Sequence, residues 1–269
     1  MSTTAPQMTL DVSGTTRVPF TRLVRVETRK MVDTRGGFWM LVVTGILLVI
    51  TIGLVLLVVT LEDSSISAND LAQVLTLPLS VLLPVFPILT VTTEWTQRSG
   101  LVTFALEPNR RRVLLAKFGA VVVLALATIL VAIVLGALTN IVAAAMTGND
   151  VRWELQADTL LLLVASQLLY FTMAFGLAMV FLNTPGAIAV FYVVALILPL
   201  MVYSILYSIF DWAQSLIPWI DLQYAFGPFL DPDDSVAGLD VARLLVAITI
   251  WIVTPLVLGV MRVLRSEPK

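Results

Sequence analysis

The chain has 269 residues, of which 59% are hydrophobic and only 13% are charged, and its formal net charge is −2. A water-soluble domain usually carries about 25% charged residues, so this composition excludes an ordinary soluble globular protein. The sequence contains no cysteine and no histidine. That absence excludes disulfides, thiolate or imidazole metal ligands, and catalysis by a Cys or His nucleophile, and we expect no metal site.

The first 37 residues are a polar, basic tail without a long apolar run. Residues 18–33 have the period of an amphipathic helix, with arginines opposite an apolar face. The apolar residues of that face are Phe20, Leu23, Val24 and Met31. The pattern predicts a basic helix lying at the lipid headgroups, and a plain positively charged anchor is the alternative. Glu27 also falls on the apolar face and requires a cationic partner, for which Lys30 is the local candidate. Gly36–Gly37 predicts a helix break before the first apolar run.

Six apolar runs follow, each with 18 or more residues, which is enough to cross about 30 Å of hydrocarbon. Their predicted bounds are 38–60, 71–93, 113–146, 158–182, 187–210 and 241–260. The fold class predicted is an all-α integral membrane protein with six transmembrane helices, in which 38–262 is the transmembrane domain and 263–269 a short tail. Four prolines predict kinks in the second and fifth runs. They are Pro78, Pro84, Pro87 and Pro199.

Positive charge is distributed unevenly between the loops. Of the 16 Lys and Arg residues, 14 lie before the first run, between the second and third runs, or after the sixth. Arg152 and Arg243 are the exceptions, and they share their side with 12 of the 18 acidic residues. The positive-inside rule therefore predicts that both termini are cytoplasmic, in agreement with the even number of runs.

The middles of the six runs contain no charged residue. Ion-coupled pumps need such residues as relays, so the pattern disfavours a pump of that class. Gln167 and Asn140 are polar but neutral, and hydrogen bonding between helices is the favoured interpretation, with the lining of a substrate path as the alternative. None of the three lysines is followed by Ser or Thr, so a P-loop is excluded and we expect the chain to lack an ATPase site of its own.

The segment 94–112 between the second and third runs has a second pattern of interest. A short apolar stretch lies between Gly100 and Pro108, and Glu94 and Glu107 flank it. Glycine before and proline after a short helix predict a stiff projecting element, suited to transmitting force from a soluble partner. A basic loop that simply obeys the positive-inside rule is the alternative.

The order of these features resembles the permease subunit of ABC-2 type ABC transporters, notably the bacterial drug and antibiotic exporters. The residues that carry the resemblance are Glu27, Lys30, Glu94, Gly100, Pro108, the arginine cluster 110–112 and Lys117. One position departs from the pattern, because Pro108-Asn109-Arg110 stands where the family often has Pro-x-Ser-Arg. The role of that position is therefore left open.

The resemblance implies three functional regions. The ATPase-coupling helix and its flanks would comprise Glu94, Arg98, Gly100, Leu101, Phe104, Leu106, Glu107, Pro108, Arg110 and Lys117. A connecting elbow helix would comprise Phe20, Leu23, Glu27, Lys30 and Met31. The outer loop 211–240 would form short re-entrant helices that close an outer gate, with an aromatic belt on an ordinary loop as the alternative. The gate residues would be Trp212, Pro218, Trp219, Tyr224, Phe226 and Phe229.

The resemblance also implies partners and a cargo. Two permease chains, identical or different, would pair in a bacterial plasma membrane and bind two copies of a separate ABC ATPase, which would hold ATP and magnesium. No nucleic-acid partner is expected. The cargo would be a hydrophobic or amphipathic molecule, such as a drug, an antibiotic, a peptide or a lipid-like compound. An ion-coupled secondary transporter and a non-transporting membrane scaffold or sensor are the rival hypotheses.

Overall fold

The computed structural model describes residues 18–96, 109–230 and 236–265. Over these ranges the chain is helical and contains no strand. Six stretches of the described chain are long and apolar enough to cross a membrane, which makes this a multi-pass membrane protein. They are Arg35–Leu61, Ala68–Thr96, Arg110–Thr147, Ala157–Phe181, Thr184–Ile209 and Gly238–Arg265.

Several of these stretches consist of consecutive shorter helices. The α-helices are α1 (Phe20–Asp33), α2 (Arg35–Leu61), α3 (Ala68–Leu82), α4 (Val85–Thr96), α5 (Arg110–Thr147), α6 (Ala157–Phe181), α7 (Thr184–Tyr192), α8 (Ser204–Ile209), α9 (Asp211–Ile220), α10 (Leu222–Leu230), α11 (Gly238–Ile248) and α12 (Thr254–Arg265). Two π-helical segments, π1 (Val193–Tyr203) and π2 (Thr249–Val253), interrupt the fifth and sixth stretches.

The break between α1 and α2 lies at Thr34, two residues before the predicted position. Thr34 is extended, with φ −81° and ψ 148°, and its hydroxyl accepts the N–H of Gly37 at 3.1 Å. A threonine that caps a helix in this way fixes where the helix begins, so both glycines fall inside the first turn of α2. The prediction that Gly36–Gly37 breaks the helix is therefore wrong.

Proline interrupts the second and fifth stretches. The second changes from α3 to α4 at Leu83–Pro84, and the Tyr192 hydroxyl donates to the Val81 carbonyl near this break at 2.7 Å. Pro199 lies inside π1, where the Ser204 N–H bonds the Pro199 carbonyl across five residues. Regular α-helix is thus interrupted at two of the four predicted prolines, consistent with the donor that proline lacks, whereas Pro78 lies inside α3 and Pro87 inside α4.

Helix α6 lies at the centre of the core and packs against α3, α4, α5, α7, α10 and α12. Glycine allows the closest of these contacts, as is common between membrane helices. A Cβ added at Gly259 of α12 would lie 2.5 Å from the Met179 Cβ of α6. By contrast, α2 buries few residues and presents most of its apolar surface outward.

Candidate functional site

Four charged side chains from three helices meet where α1 crosses the bundle. The Lys117 ammonium of α5 donates to Glu27 Oε2 of α1 at 2.7 Å and to Glu94 Oε1 of α4 at 2.9 Å. The Lys30 ammonium donates to Glu27 Oε1 at 2.7 Å and to Glu94 Oε1 at 3.2 Å. We call Glu27, Lys30, Glu94 and Lys117 the charge cluster. Lys30 is thus the local partner expected for Glu27, and Lys117 is a second one.

Lys117 is the buried centre of the charge cluster. Its side chain is 4% exposed, and the side chains of Glu27 and Glu94 are 7% and 11% exposed. A lysine ammonium has three donor hydrogens, and here the third bonds the Thr90 carbonyl at 2.9 Å. Burying an isolated charge is costly, but this ammonium is fully hydrogen-bonded, and the two lysines and two glutamates of the cluster balance in formal charge.

Lys30 closes the cluster on its accessible side, where its side chain is 46% exposed. Burial opposes the charge on its ammonium, but the hydrogen bonds and charges of Glu27 and Glu94 outweigh burial. The net effect is that the pKa of Lys30 is raised above its ordinary value. Lys30 therefore stays protonated over the physiological pH range.

Local sequence explains how the cluster forms. Glu27 and Lys30 are three residues apart and so share one face of α1. That face packs closely on α5, because Gly119 leaves room for Val24; a Cβ added at Gly119 would lie 3.1 Å from Val24 Cγ2. Lys117 lies two turns into α5, and Glu94 lies at the end of α4. The cluster therefore joins α1 to the two helices on either side of segment 97–108.

Arginine side chains also connect helices at the same end of the bundle through hydrogen bonds to backbone carbonyls. Arg110 donates to the carbonyls of Val263 and Leu264 at 3.4 Å each, which links the start of α5 to the end of α12. Arg262 donates to the Val180 carbonyl near the end of α6. Cations are favourable at helix C-termini, where backbone carbonyls lack partners. The basic residues predicted to share one side thus help to hold that end together.

Most of the predicted coupling helix falls outside the described residues. The predicted positions concerned are Arg98, Gly100, Leu101, Phe104, Leu106, Glu107 and Pro108. Glu94, Arg110 and Lys117 are described and lie in the contacts above. Of the predicted elbow residues, Met31 is buried beside the cluster, Leu23 is half-buried and Phe20 is exposed on the isolated chain.

The segment predicted to be an outer loop contains two short helices, α9 and α10, which we call the outer helix pair. Asp221 joins them and accepts the N–H groups of Gln223 and Tyr224 at 2.9 and 3.0 Å, which caps the start of α10. The indole N–H of Trp251 in π2 donates to the Ile220 carbonyl at 2.6 Å. The pair is therefore anchored to the sixth stretch.

The six predicted gate residues do not form one group. Phe226 and Phe229 stack with centroids 5.9 Å apart, and Tyr224 lies 5.1 Å from Tyr207 of α8. Pro218 is buried and Trp219 is half-buried, whereas Trp212 is exposed.

A half-open cavity of about 610 Å³ lies between α3, α6, the α7–π1 stretch and α10. Its walls are mainly apolar, and no charged residue is among the described residues that line it. Phe226 of the outer helix pair contributes to its wall. Gln167 also lines it, is 1% exposed, and its Nε2 has no hydrogen-bond partner within the described part of the chain.

The two polar residues singled out inside the runs thus have different environments. Asn140 donates to the Arg152 carbonyl at 2.7 Å, so it binds the loop after α5 rather than another membrane helix. Gln167 bonds no neighbouring helix among the described residues. The favoured prediction of helix–helix hydrogen bonds is therefore wrong for both residues, and the alternative of a path-lining residue fits Gln167.

Comparison of the chain with protein-family models, with curated proteins and with solved structures gave no significant match.

Asp221 gives a prediction that depends on pH. Burial raises the pKa of its carboxyl, although its bonds to the N–H groups of Tyr224 and Gln223 oppose that shift. Replacing Asp221 by alanine removes the cap and should cost about 1 kcal/mol of stability, whereas asparagine caps a helix equally well. Because the folded pKa lies above the unfolded value, stability is highest below the ordinary carboxyl pKa and falls as pH rises through the folded value.

Unfolding of detergent-solubilised protein at a series of pH values measures this effect. Asp221→Asn should be more stable than wild type at neutral pH, and the difference should vanish at acid pH. If the stability difference between Asp221→Asn and wild type instead grows toward acid pH, the site stabilises the ionised carboxylate rather than disfavouring it.

Proposed function

We propose that this chain is the membrane-spanning permease subunit of an ABC exporter of the ABC-2 type. In this proposal both termini are cytoplasmic, two permease chains form the substrate path, and a separate ATPase subunit in two copies supplies the energy. The proposal places the chain in a bacterial plasma membrane. The charge cluster is the observation that carries it.

The charge cluster suits a site that receives force. It joins α1, α4 and α5 through hydrogen bonds of 2.7 to 3.2 Å between charged side chains. Most of these side chains are buried. The helices that precede and follow segment 97–108 in sequence, α4 and α5, both contribute to this junction. A partner that pushes on the segment or on α1 would therefore move three helices together instead of bending one loop. Such coordinated movement is what an ATPase without a membrane domain needs from its permease.

The contacts of α4 give this movement a route into the bundle. The Thr92 hydroxyl of α4 lies 2.7 Å from the Thr184 hydroxyl at the start of α7. α4 also packs on α6, and α6 and α7 continue to the walls of the apolar cavity. Displacement of the charge cluster would thus reach the cavity through packed helices. In the proposal, the outer helix pair closes the far end of this path.

Co-purification from native membranes tests the proposal. The full-length tagged chain should carry a P-loop ATPase with it through mild-detergent purification. Glu94→Gln removes one carboxylate of the charge cluster and should lower ATP hydrolysis by the purified complex by about fivefold or more, the low end of usual coupling between sites. Glu62→Gln, an exposed carboxylate at the end of α2, is the matched control and should leave hydrolysis unchanged.

Two results would count against the proposal. One is the absence of any nucleotide-binding polypeptide among the co-purifying proteins. The other is equal hydrolysis by complexes that carry Glu94→Gln, Glu62→Gln and the wild-type chain, because the cluster would then have no part in coupling.

A further inference from the structure

The cavity beside Gln167 has the size and lining of a small-molecule site. Drug-sized ligands occupy pockets of roughly 300–1,000 Å³ with mostly apolar walls and a few polar groups that fix orientation. This cavity, at about 610 Å³, lies within that range. Its uncharged lining disfavours an ionised ligand, since nothing among the described wall residues compensates a buried charge.

Among the described residues of the wall, the Gln167 amide is the group with a fully buried polar atom that lacks a hydrogen-bond partner. The hydroxyls of Thr76, Ser80 and Ser166 each donate to a carbonyl of their own helix, at 2.7, 2.8 and 2.9 Å. The Tyr192 hydroxyl donates to the Val81 carbonyl. Those donors are already used, whereas Gln167 Nε2 lacks an acceptor among the described residues.

The depth of Gln167 makes its missing acceptor costly. It lies ten residues into α6, about 15 Å from the start of that helix and so near the middle of a bilayer about 30 Å thick. Water is scarce at that depth, and an unpaired buried amide costs about 1–3 kcal/mol. Buried donors without partners are rare in proteins and call for a specific explanation, of which an absent ligand is one.

We propose that this cavity binds an uncharged, largely apolar molecule of drug size, and that the Gln167 amide, which is enclosed in the ligand-free chain, turns toward this ligand and donates to one of its oxygens. The π-helical segment π1 forms one wall, and the capped helix α10 forms another. π-helical turns are frequent at functional sites, where they displace side chains from regular helix positions. That the ligand is the exported cargo rests on the proposed function, but its binding to this chain does not.

Photolabelling of the full-length chain in lipid nanodiscs tests the proposal. Benzophenone is an uncharged aromatic ketone that crosslinks on illumination, and diphenylmethane has nearly the same shape without the oxygen. Benzophenone should label peptides from α3, α6 or α10 in the wild-type chain, and diphenylmethane should compete weakly. Gln167→Leu should weaken benzophenone binding by roughly 2- to 12-fold, as expected for one neutral hydrogen bond, and should abolish the preference for the ketone.

The unfolding temperature of the ligand-free chain distinguishes a ligand-binding role of Gln167 from a structural one. Because leucine removes an unpaired buried amide, Gln167→Leu should raise the unfolding temperature of the ligand-free chain. Gln214→Leu is the matched control: Gln214 is exposed on α9, outside the cavity, and its substitution should change neither labelling nor the ketone preference.

The proposal is overturned if Gln167→Leu lowers the unfolding temperature and keeps the ketone preference, since the glutamine would then be a structural residue. It is also overturned if benzophenone labels only outward-facing positions of helices such as α2, because the cavity would then hold a lipid chain or nothing. Neither result depends on an ATPase, so failure here leaves the proposed coupling role to be judged by its own experiment.

Discussion

Replacing Lys117 by methionine is expected to destabilise the chain by about 3–5 kcal/mol, the usual cost of breaking a buried ion pair from one side. Methionine is similar in length and apolar, so it fills the space but leaves Glu27 and Glu94 without their buried cation. The Thr90 carbonyl loses its side-chain donor as well. Heating the solubilised protein and measuring the fraction that remains monodisperse on gel filtration gives the size of the loss.

Two variants make this measurement specific to the buried charge. Lys30→Met removes the half-exposed lysine of the charge cluster and should cost about 1 kcal/mol or less, because exposed ion pairs contribute little. Adding Glu27→Gln and Glu94→Gln to Lys117→Met should restore most of the lost stability, since no buried carboxylate then lacks a partner. Equal losses for Lys117→Met and Lys30→Met would contradict a buried, interdependent cluster.

The substitution Gly37→Ala is expected to displace α1 from the bundle. An added Cβ would lie 1.8 Å from the backbone carbonyl oxygen of Met31, far inside any tolerable contact. A backbone atom cannot rotate away as a side chain can, so the turn at Thr34 must open. Overpacking of this kind usually costs about 1–3 kcal/mol, and the contact with backbone places this case at the upper end.

Gly36→Ala is the matched control for that turn. A Cβ at Gly36 meets no atom within 4 Å, and alanine is favoured over glycine inside a helix by about 1 kcal/mol. Gly36→Ala should therefore be neutral or slightly stabilising. The chain contains no cysteine, so a single cysteine introduced at the exposed Arg25 can report on α1 by its reactivity. Similar thermal stability and cysteine reactivity in the two variants would show that the close approach at Gly37 is unimportant.

Hydropathy and proline positions predict much of the fold because a membrane imposes simple rules. The six apolar runs coincide with the six long stretches of the described chain, which start one to three residues before the predicted bounds and end between one residue before and five residues after them. These extensions occur where helices continue past the apolar part, as α5 does at Arg110, whose side chain reaches α12. Apolar content cannot predict such ends, because capping and hydrogen bonding determine them.

Only part of the charge cluster can be predicted from the sequence. Glu27 on an apolar face signals a buried partner, and Lys30 follows from helical spacing. Lys117 lies 90 residues away along the chain, so its role depends on how α1 packs on α5. Family resemblance brought Lys117 and Glu94 into the predicted set, but their bond to each other is a tertiary contact. Gln167 is similar, since no periodicity distinguishes an amide that faces a helix from one that faces a cavity.

The most direct measurement is photolabelling of the complex purified from native membranes with 8-azido-ATP, followed by identification of the labelled polypeptides. A permease that depends on a separate ATPase predicts that a co-purifying polypeptide is labelled, that unlabelled ATP competes for it, and that this chain remains unlabelled. Specific, ATP-competed labelling of this chain would contradict the account.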